Sequence, residues 1–92
     1  MADARRVVIS GRVQGVGFRA WMVATASSFG LKGWVRNCRN GSVEAVFSGE
    51  ETDITAMIEA CKDGPPAARV EAIEQYACEE ETGESFIARP TV

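Results

Sequence analysis

The sequence predicts an α+β fold in which two helices pack on one face of an antiparallel sheet. Two stretches with apolar residues at helical spacing alternate with runs rich in β-branched residues, in the order strand, helix, strand, strand, helix, strand, followed by a short terminal strand. An Asn-Gly dipeptide between two of the strand runs indicates a hairpin. The chain has 92 residues, of which 46% are hydrophobic and 25% charged. This size and composition predict one globular domain over residues 1–92.

The first strand and first helix occupy the N-terminal third of the chain. Residues Val7–Val13 are rich in β-branched side chains and suit a central strand. The helix begins near Phe18, because apolar residues then recur three and four positions apart on one side: Phe18, Trp21, Met22, Ala26 and Phe29. Gly30 supplies a left-handed residue after the last turn and Leu31 the apolar contact that follows it. We therefore expect the helix to end near Phe29, with Trp21 and Phe29 packed in the core.

The middle of the chain predicts a β-hairpin. Residues Gly33–Cys38 and Ser42–Ser48 read as short strands, and Asn40-Gly41 between them suits the positive φ angles of a type I′ turn. Because side chains alternate along a strand, Val43, Ala45 and Phe47 share one face. Glu44, Val46 and Ser48 point to the opposite face.

The C-terminal half predicts a second helix and two more strands. Apolar residues at i, i+3, i+4 and i+7 form one stripe, preceded by an acidic segment that suits a helix N-terminus: Ile54, Met57, Ile58 and Cys61. Residues Arg69–Tyr76 and Ser85–Arg89 are predicted to pair with each other, separated by a solvated acidic turn at Glu79–Glu84. Two similar halves of this kind are typical of the split βαβ, or ferredoxin-like, plan.

Composition excludes several kinds of chemistry. The chain has no histidine, and its three cysteines, Cys38, Cys61 and Cys78, are odd in number and lack CxxC spacing. Zinc sites and histidine-based triads are therefore excluded, and the cysteines are expected to be free core or surface residues. No apolar run is long enough to span a membrane, and the first residues lack the apolar region of a secretory signal. These features predict a cytoplasmic protein.

Charge is distributed unevenly along the chain. Residues 1–46 carry seven basic and two acidic residues, a net charge of +5, whereas the remainder carries three basic and eleven acidic residues, a net charge of −8. The total of −3 is unlike that of most nucleic-acid-binding domains. A positive N-terminal half can instead steer a small anion to one side of the molecule.

The segment between the first strand and the first helix indicates an anion site. Gly15 and Gly17 permit backbone conformations that turn successive N–H groups of Gln14–Arg19 towards one point. The helix N-terminus adds further free N–H groups. Arg19 in its first turn opposes the helix dipole, and a bound phosphate would compensate both the arginine and the helix terminus. The segment lacks the Lys-Ser or Lys-Thr of a Walker A loop and the third glycine of a dinucleotide fingerprint. A tight strand-to-helix turn without a ligand is the alternative.

Four segments together resemble the acylphosphatase family: VQGVGFR (13–19), GLKGWVRN (30–37), NGSVE (40–44) and GPPAARV (64–70). The resemblance covers nearly the whole chain in matching order and spacing. It implies the ferredoxin-like fold and the hydrolysis of acyl phosphates to a carboxylate and inorganic phosphate. It further implies no metal, no organic cofactor and no covalent intermediate, so that the partners are a small-molecule acyl phosphate and inorganic phosphate.

The resemblance also implies roles for individual residues. Arg19 corresponds to the phosphate-binding arginine and Asn37 to the residue that orients the attacking water. The backbone amides that would cradle the phosphate belong to Gln14, Gly15, Val16, Gly17, Phe18 and Arg19. From the residues alone, Asn37 could equally cap the turn at Asn40-Gly41. Cys38 stands where several family members carry threonine, and the last four residues lack the more usual aromatic finish.

A non-catalytic module is the alternative to an enzyme. A phosphate-sensing domain could keep the loop without turnover, and an RNA-binding or partner-binding domain could use the same sheet. Residues 43–48 lack the aromatic-rich pattern of an RNA-recognition strand. We therefore expect a monomeric enzyme with neither nucleic acid nor membrane as a partner.

Overall fold

The computed structural model describes residues 3–80 and 82–92. Its elements are β1 (Asp3–Arg12), α1 (Phe18–Ser28), β2 (Lys32–Asn37), β3 (Val43–Gly49), α2 (Glu51–Cys61), β4 (Arg69–Cys78) and β5 (Phe86–Ala88). The predictions that concern Met1, Ala2 and Glu81 lie outside the described residues. None of the helices in the described ranges has the length and apolar character needed to cross a membrane.

The five strands form one sheet in the order β4-β1-β3-β2-β5. β1 pairs with β3 and β4, and β2 pairs with β3, all antiparallel. The two helices contact each other and pack on strands of this sheet, which places both on one face. The predicted ferredoxin-like fold is confirmed. β1 and β2 run in the same direction, so their C-terminal ends lie at the same end of the sheet.

The predicted pairing between the last two strands is wrong. β4 pairs only with β1 among the described strands and forms one edge of the sheet, whereas β5 pairs in parallel with β2 at the opposite edge. The physical reason is the burial of Phe86, which is 3% exposed and stacks on Phe47 at a ring-centroid distance of 5.5 Å. The sheet is therefore mixed.

The core lies between the sheet and the helices. The predicted face of β3 and the predicted apolar stripes of both helices are buried there: Val43, Ala45, Phe47, Phe18, Met22, Ala26, Ile54, Met57, Ile58 and Cys61. Trp21 and Phe29 are partly buried against this cluster, which confirms their assignment to the core. All three cysteines are free. Desolvation by burial raises the pKa of Cys61 to about 12, so that its thiol is an unreactive core group.

The end of α1 follows the predicted capping pattern. Gly30 adopts a positive φ of 74° and its N–H donates to the Ser27 carbonyl at 3.0 Å. The N–H of Leu31 donates to the Ala26 carbonyl at 3.0 Å, which completes a Schellman motif. This tight end allows β2 to begin directly after the helix.

The hairpin is confirmed, but the predicted type I′ turn is wrong. That turn requires positive φ at both central residues, whereas Asn40, like every other non-glycine residue that the structure describes, does not have one. The N–H of Gly41 donates to the Cys38 carbonyl at 3.0 Å, and Gly41 has a φ of 95°. The N–H of Cys38 donates to the Ser42 carbonyl at 2.9 Å. The four-residue turn therefore runs from Cys38 to Gly41 and ends on a single left-handed glycine.

The sheet face opposite the helices is only partly open. Trp34 lies on this face and yet is 3% exposed. The guanidinium groups of Arg36 and Arg89 lie 4.6 and 4.8 Å from the indole centroid, and its Nε1–H donates to the Glu80 carboxylate. These contacts attach β5 and part of the acidic turn to the sheet.

We predict that Gly33→Ala strongly destabilises the fold. A Cβ atom at Gly33 would lie 1.8 Å from the Val46 carbonyl oxygen, and the φ of 136° is unfavourable for other residues. We expect the free energy of unfolding to fall by about 2–3 kcal/mol in a urea titration followed by tryptophan fluorescence. Gly83→Ala is the matched control, because a Cβ there meets open space. Equal effects of the two substitutions would contradict the steric argument.

Candidate active site

A pocket of about 430 Å³ opens at the end of the sheet where β1 and β2 finish and α1 begins. Its walls come from the loop after β1, the first turn of α1, the end of β2 and β5: Val13, Gly15, Gly17, Phe18, Arg19, Ala20, Asn37 and Ala88. The pocket therefore brings together two residues that are 18 positions apart and were singled out from the sequence, Arg19 and Asn37.

The loop after β1 has the backbone conformation expected of an anion-binding turn. Gly15 and Gly17 have φ angles of 73° and 80°, and a Cβ at either position would meet no atom within 4 Å. Glycine is therefore favoured there by backbone conformation and not by lack of space. The first helical hydrogen bond runs from the Trp21 N–H to the Gly17 carbonyl at 3.0 Å. The N–H groups of residues 14–20 donate to no acceptor within the described ranges, so they can serve an anion.

Arg19 brings a positive charge to this helix N-terminus. α1 has no acidic residue in its first turn and no side-chain cap at Gly17. Arg19 forms no ion pair with any carboxylate of residues 3–80 and 82–92, whereas Arg5, Arg6, Arg36, Lys62 and Arg89 each have one. A guanidinium and unpaired amides at one helix end together provide strong attraction for a phosphate-like anion.

Asn37 is the last residue of β2 and shares a face with the buried Val35. Its backbone carbonyl accepts from the Val92 N–H at 3.2 Å. Its carboxamide forms no hydrogen bond with another residue of the described chain. The turn is capped instead by Asn40, whose Oδ1 accepts from the Ser42 N–H at 3.0 Å and from the Ser42 hydroxyl at 2.7 Å. The Asn37 side chain is therefore available to a ligand or a water in the pocket.

Gln14 has a role that the sequence reasoning missed. Its side-chain Nε2 donates to the Cys38 carbonyl at 2.7 Å and to the Ser42 carbonyl at 2.8 Å. These bonds join the glycine loop to the turn that directly follows Asn37. The Val16 side chain packs against the core cluster. Gln14 and Val16 thus belong to the predicted loop, but their side chains do not line the pocket.

We predict that Gln14→Leu impairs turnover because the glycine loop shifts relative to the turn that follows Asn37. The substitution removes both hydrogen bonds to the hairpin, and we expect kcat to fall about tenfold while the fold loses about 1 kcal/mol of stability. Steady-state kinetics at a temperature where both proteins are fully folded measures the effect. Gln75→Leu is the matched control, since Gln75 is exposed and its side chain accepts a single long hydrogen bond from Arg5, at 3.4 Å. An unchanged kcat in Gln14→Leu would exclude this role.

Three lining residues were not among the site residues predicted from the sequence, although Val13 opens the segment VQGVGFR that carries the family resemblance. Val13, Ala20 and Ala88 are small or apolar, and Ala88 reaches the pocket only because β5 pairs in parallel with β2. No group of three His, Cys, Asp or Glu side chains that could hold a metal ion occurs in residues 3–80 and 82–92.

Comparison with known families identifies the chain. The family model described as Acylphosphatase matches residues 5–87. The chain belongs to the acylphosphatase family. This confirms the resemblance found in the sequence and the expectation of an acylphosphatase enzyme.

Individual acylphosphatases match over most of their length. An acylphosphatase from Rhodopseudomonas palustris is 62% identical over 69 residues, which cover 75% of this chain and 70% of that protein. An acylphosphatase from Synechococcus is 51% identical over 94 residues, with both chains fully covered. The solved structure of an acylphosphatase from Coxiella burnetii superposes with a TM-score of 0.91 at 35% identity, covering 96% of this chain and 93% of that one. Agreement at this level assigns the fold as well as the family.

Proposed function

We propose that the chain hydrolyses acyl phosphates to a carboxylate and inorganic phosphate without a metal or an organic cofactor. The observation that carries the proposal is the convergence of Arg19, Asn37 and the unpaired loop amides on one pocket. The names of its relatives supply the substrate class.

The phosphoryl group is held by positive charge and N–H donors. The Arg19 guanidinium and the amides of residues 14–19 bind its nonbridging oxygens, on which negative charge is spread in the transition state. The planar guanidinium suits two oxygens of one phosphoryl group, and the N–H groups of the glycine loop need not reorganise as the reaction proceeds. Binding and catalysis therefore use the same donors.

The nucleophile is a water molecule oriented by Asn37. The carboxamide can accept a hydrogen bond from the water and donate one to the substrate, because it carries both an oxygen and an NH₂ group. The water oxygen attacks phosphorus, and the bond between phosphorus and the carboxylate oxygen breaks with its electron pair on that oxygen. An acyl phosphate dianion and water thus give a carboxylate and dihydrogen phosphate, which retains both protons of the water.

The leaving group explains why no general acid is needed. A carboxylic acid has a pKa of about 4, so the carboxylate departs unprotonated at neutral pH. The chain contains no histidine, and this reaction does not require one. Positioning and electrostatic stabilisation suffice. We further propose that the enzyme is a cytoplasmic monomer that binds neither nucleic acid nor membranes.

One feature of the open sheet face argues against an RNA-binding module. Sheets that recognise RNA stack bases on exposed aromatic rings. Trp34 on this face is 3% exposed and is covered by Arg36 and Arg89. Tyr76 on the same face is 41% exposed, but the Arg6 guanidinium lies 4.4 Å from its ring centroid. A base could stack on either ring only by displacing these arginine contacts.

Phosphate release from acetyl phosphate by the purified chain tests the proposal. We expect enzymatic release above the rate in buffer and no change when excess EDTA is added. Loss of activity with EDTA would contradict metal independence. Phosphate binding without turnover would instead support the phosphate-sensing alternative.

A further inference from the structure

The residues that follow β5 continue to run beside β2. We call residues 89–92 the 89–92 segment, and all four are exposed. The Arg89 N–H donates to the Val35 carbonyl at 2.8 Å, so the parallel pairing of the two strands continues past Ala88. Pro90 has no N–H group and cannot donate to β2. The pairing is therefore interrupted at this proline.

The pairing resumes at Val92, beside the end of β2. The Val92 N–H donates to the Asn37 carbonyl at 3.2 Å, and the Val92 carbonyl accepts from the Arg39 N–H at 2.7 Å. These two bonds place Val92 opposite Cys38 in a parallel bridge. An unbroken continuation of the β5 register would place Thr91 there instead. One extra residue therefore brings Val92 against the backbone that directly follows Asn37.

Hydrogen bonds from three parts of the chain fix the peptide groups around Cys38. The Cys38 N–H donates to the Ser42 carbonyl at 2.9 Å, and the Cys38 carbonyl accepts from Gln14 Nε2 at 2.7 Å. Together with the two bonds from the 89–92 segment, these bonds satisfy every backbone polar group from the Asn37 carbonyl to the Arg39 N–H. The backbone at this end of β2 is thus fixed, while the Asn37 carboxamide stays available to a ligand or a water.

We propose that the 89–92 segment is a positioning element of the active site, in which the backbone of Val92 holds Asn37 in place for catalysis. The inference rests on the proposed function and deepens it. Asn37 is the last residue of β2, and without Val92 this end of the strand would be held only by β3 and Gln14. A displacement of about 1 Å at a residue that orients the nucleophile is enough to slow the chemical step.

The proposed role depends on backbone groups and not on side chains. The Val92 N–H and carbonyl make both bonds, and its side chain is 50% exposed. The last four residues of this chain lack the more usual aromatic finish of the family. That departure leaves the two bonds intact, because any residue except proline supplies the same donor and acceptor.

Proline and alanine substitutions at the same position separate the backbone bonds from the side chains. Val92→Pro removes the N–H that donates to Asn37, whereas Val92→Ala keeps it. Arg39→Pro removes the N–H that donates to Val92, whereas Arg39→Ala keeps it. Arg39 is the second residue of its turn, a position that proline favours. We expect kcat for acetyl phosphate to be about tenfold lower in each proline variant than in its alanine partner.

Two further measurements distinguish the positioning of Asn37 from a general structural effect. Inhibition by inorganic phosphate should stay nearly unchanged in both proline variants, because in the proposed mechanism Arg19 and the loop amides hold the phosphate. In an Asn37→Ala background, Val92→Pro should lower kcat by less than about twofold, because the carboxamide that it positions is then missing. All kinetics are measured at a temperature where thermal unfolding shows every variant to be folded, and the Arg39 pair decides if Val92→Pro does not fold.

Three results would overturn the positioning role while leaving the proposed function intact. They are equal kcat values for proline and alanine at both positions, a tenfold loss that persists in the Asn37→Ala background, and phosphate inhibition that weakens in step with kcat. If Asn37→Ala keeps the full kcat of the wild type, the proposed role of Asn37 fails and the positioning role fails with it. If the wild type releases no phosphate from acetyl phosphate, the proposed function itself fails.

Discussion

Arg19→Ala should lower kcat/KM for acetyl phosphate by about 100- to 1000-fold and should weaken competitive inhibition by inorganic phosphate. The expected size corresponds to about 3–4 kcal/mol of lost transition-state stabilisation, typical for the removal of one preorganised charged donor. Both kcat/KM and the phosphate inhibition constant should change, because in the proposed mechanism the same guanidinium binds the phosphoryl group in the ground state and in the transition state. Steady-state kinetics with phosphate as the inhibitor measures the two effects.

Two further variants define the role of the guanidinium. Arg19→Lys keeps the charge but loses the planar pair of donors, so we expect only partial recovery of activity. Because Arg19 has no carboxylate partner in the described residues, the midpoint of thermal unfolding should hardly change in either variant. Phosphate inhibition that is as strong in Arg19→Ala as in the wild type would show that Arg19 does not bind the phosphoryl group.

Asn37→Ala should reduce kcat by about 100- to 1000-fold and leave inhibition by inorganic phosphate nearly unchanged. In the proposed mechanism the carboxamide acts on the water, whereas Arg19 and the loop amides hold the phosphate. Asn37→Asp adds a charge that repels the phosphoryl group, so we expect it to be no better than alanine. Measuring both kcat and the phosphate inhibition constant distinguishes Asn37→Ala from Arg19→Ala.

Asn40→Ala is the matched control for Asn37. It removes an asparagine from the same hairpin, together with the two hydrogen bonds that Asn40 Oδ1 accepts from Ser42. We expect a loss of stability of about 1 kcal/mol and a much smaller effect on kcat. If the two alanine variants lost kcat equally, hairpin distortion would explain the result better than water orientation. Equal weakening of phosphate binding in Asn37→Ala and Arg19→Ala would contradict the division of roles.

Much of the fold follows from local patterns in the sequence. Helical spacing identifies the buried stripe of α2, and Gly30 marks the end of α1, because periodicity and capping depend on residues within a few positions of each other. Strand boundaries depend less on local sequence. β1 begins at Asp3, not Val7, because its first residues pair with the end of β3. The turn at Asn40-Gly41 differs from the prediction because Asn40 uses its side chain, and not a positive φ, to close the turn.

In the candidate site, too, some residues could be identified from local sequence and others could not. Gly15, Gly17 and Arg19 could be singled out because loop and helix N-terminus are adjacent in the chain. Asn37 was singled out only by the family resemblance, since a lone asparagine near a turn has many uses. The side-chain bonds of Gln14 escaped prediction because they join residues 24 and 28 positions apart.

The sequence by itself determined the types and order of the main elements, the two helical stripes, and a glycine loop able to present amides to an anion. These properties arise from neighbours along the chain. Only the tertiary structure decided that β5 lies beside β2 and that Asn37 faces the same pocket as Arg19. The reason is that strand order and register depend on which side chains become buried together, and that depends on the packing of the whole sheet.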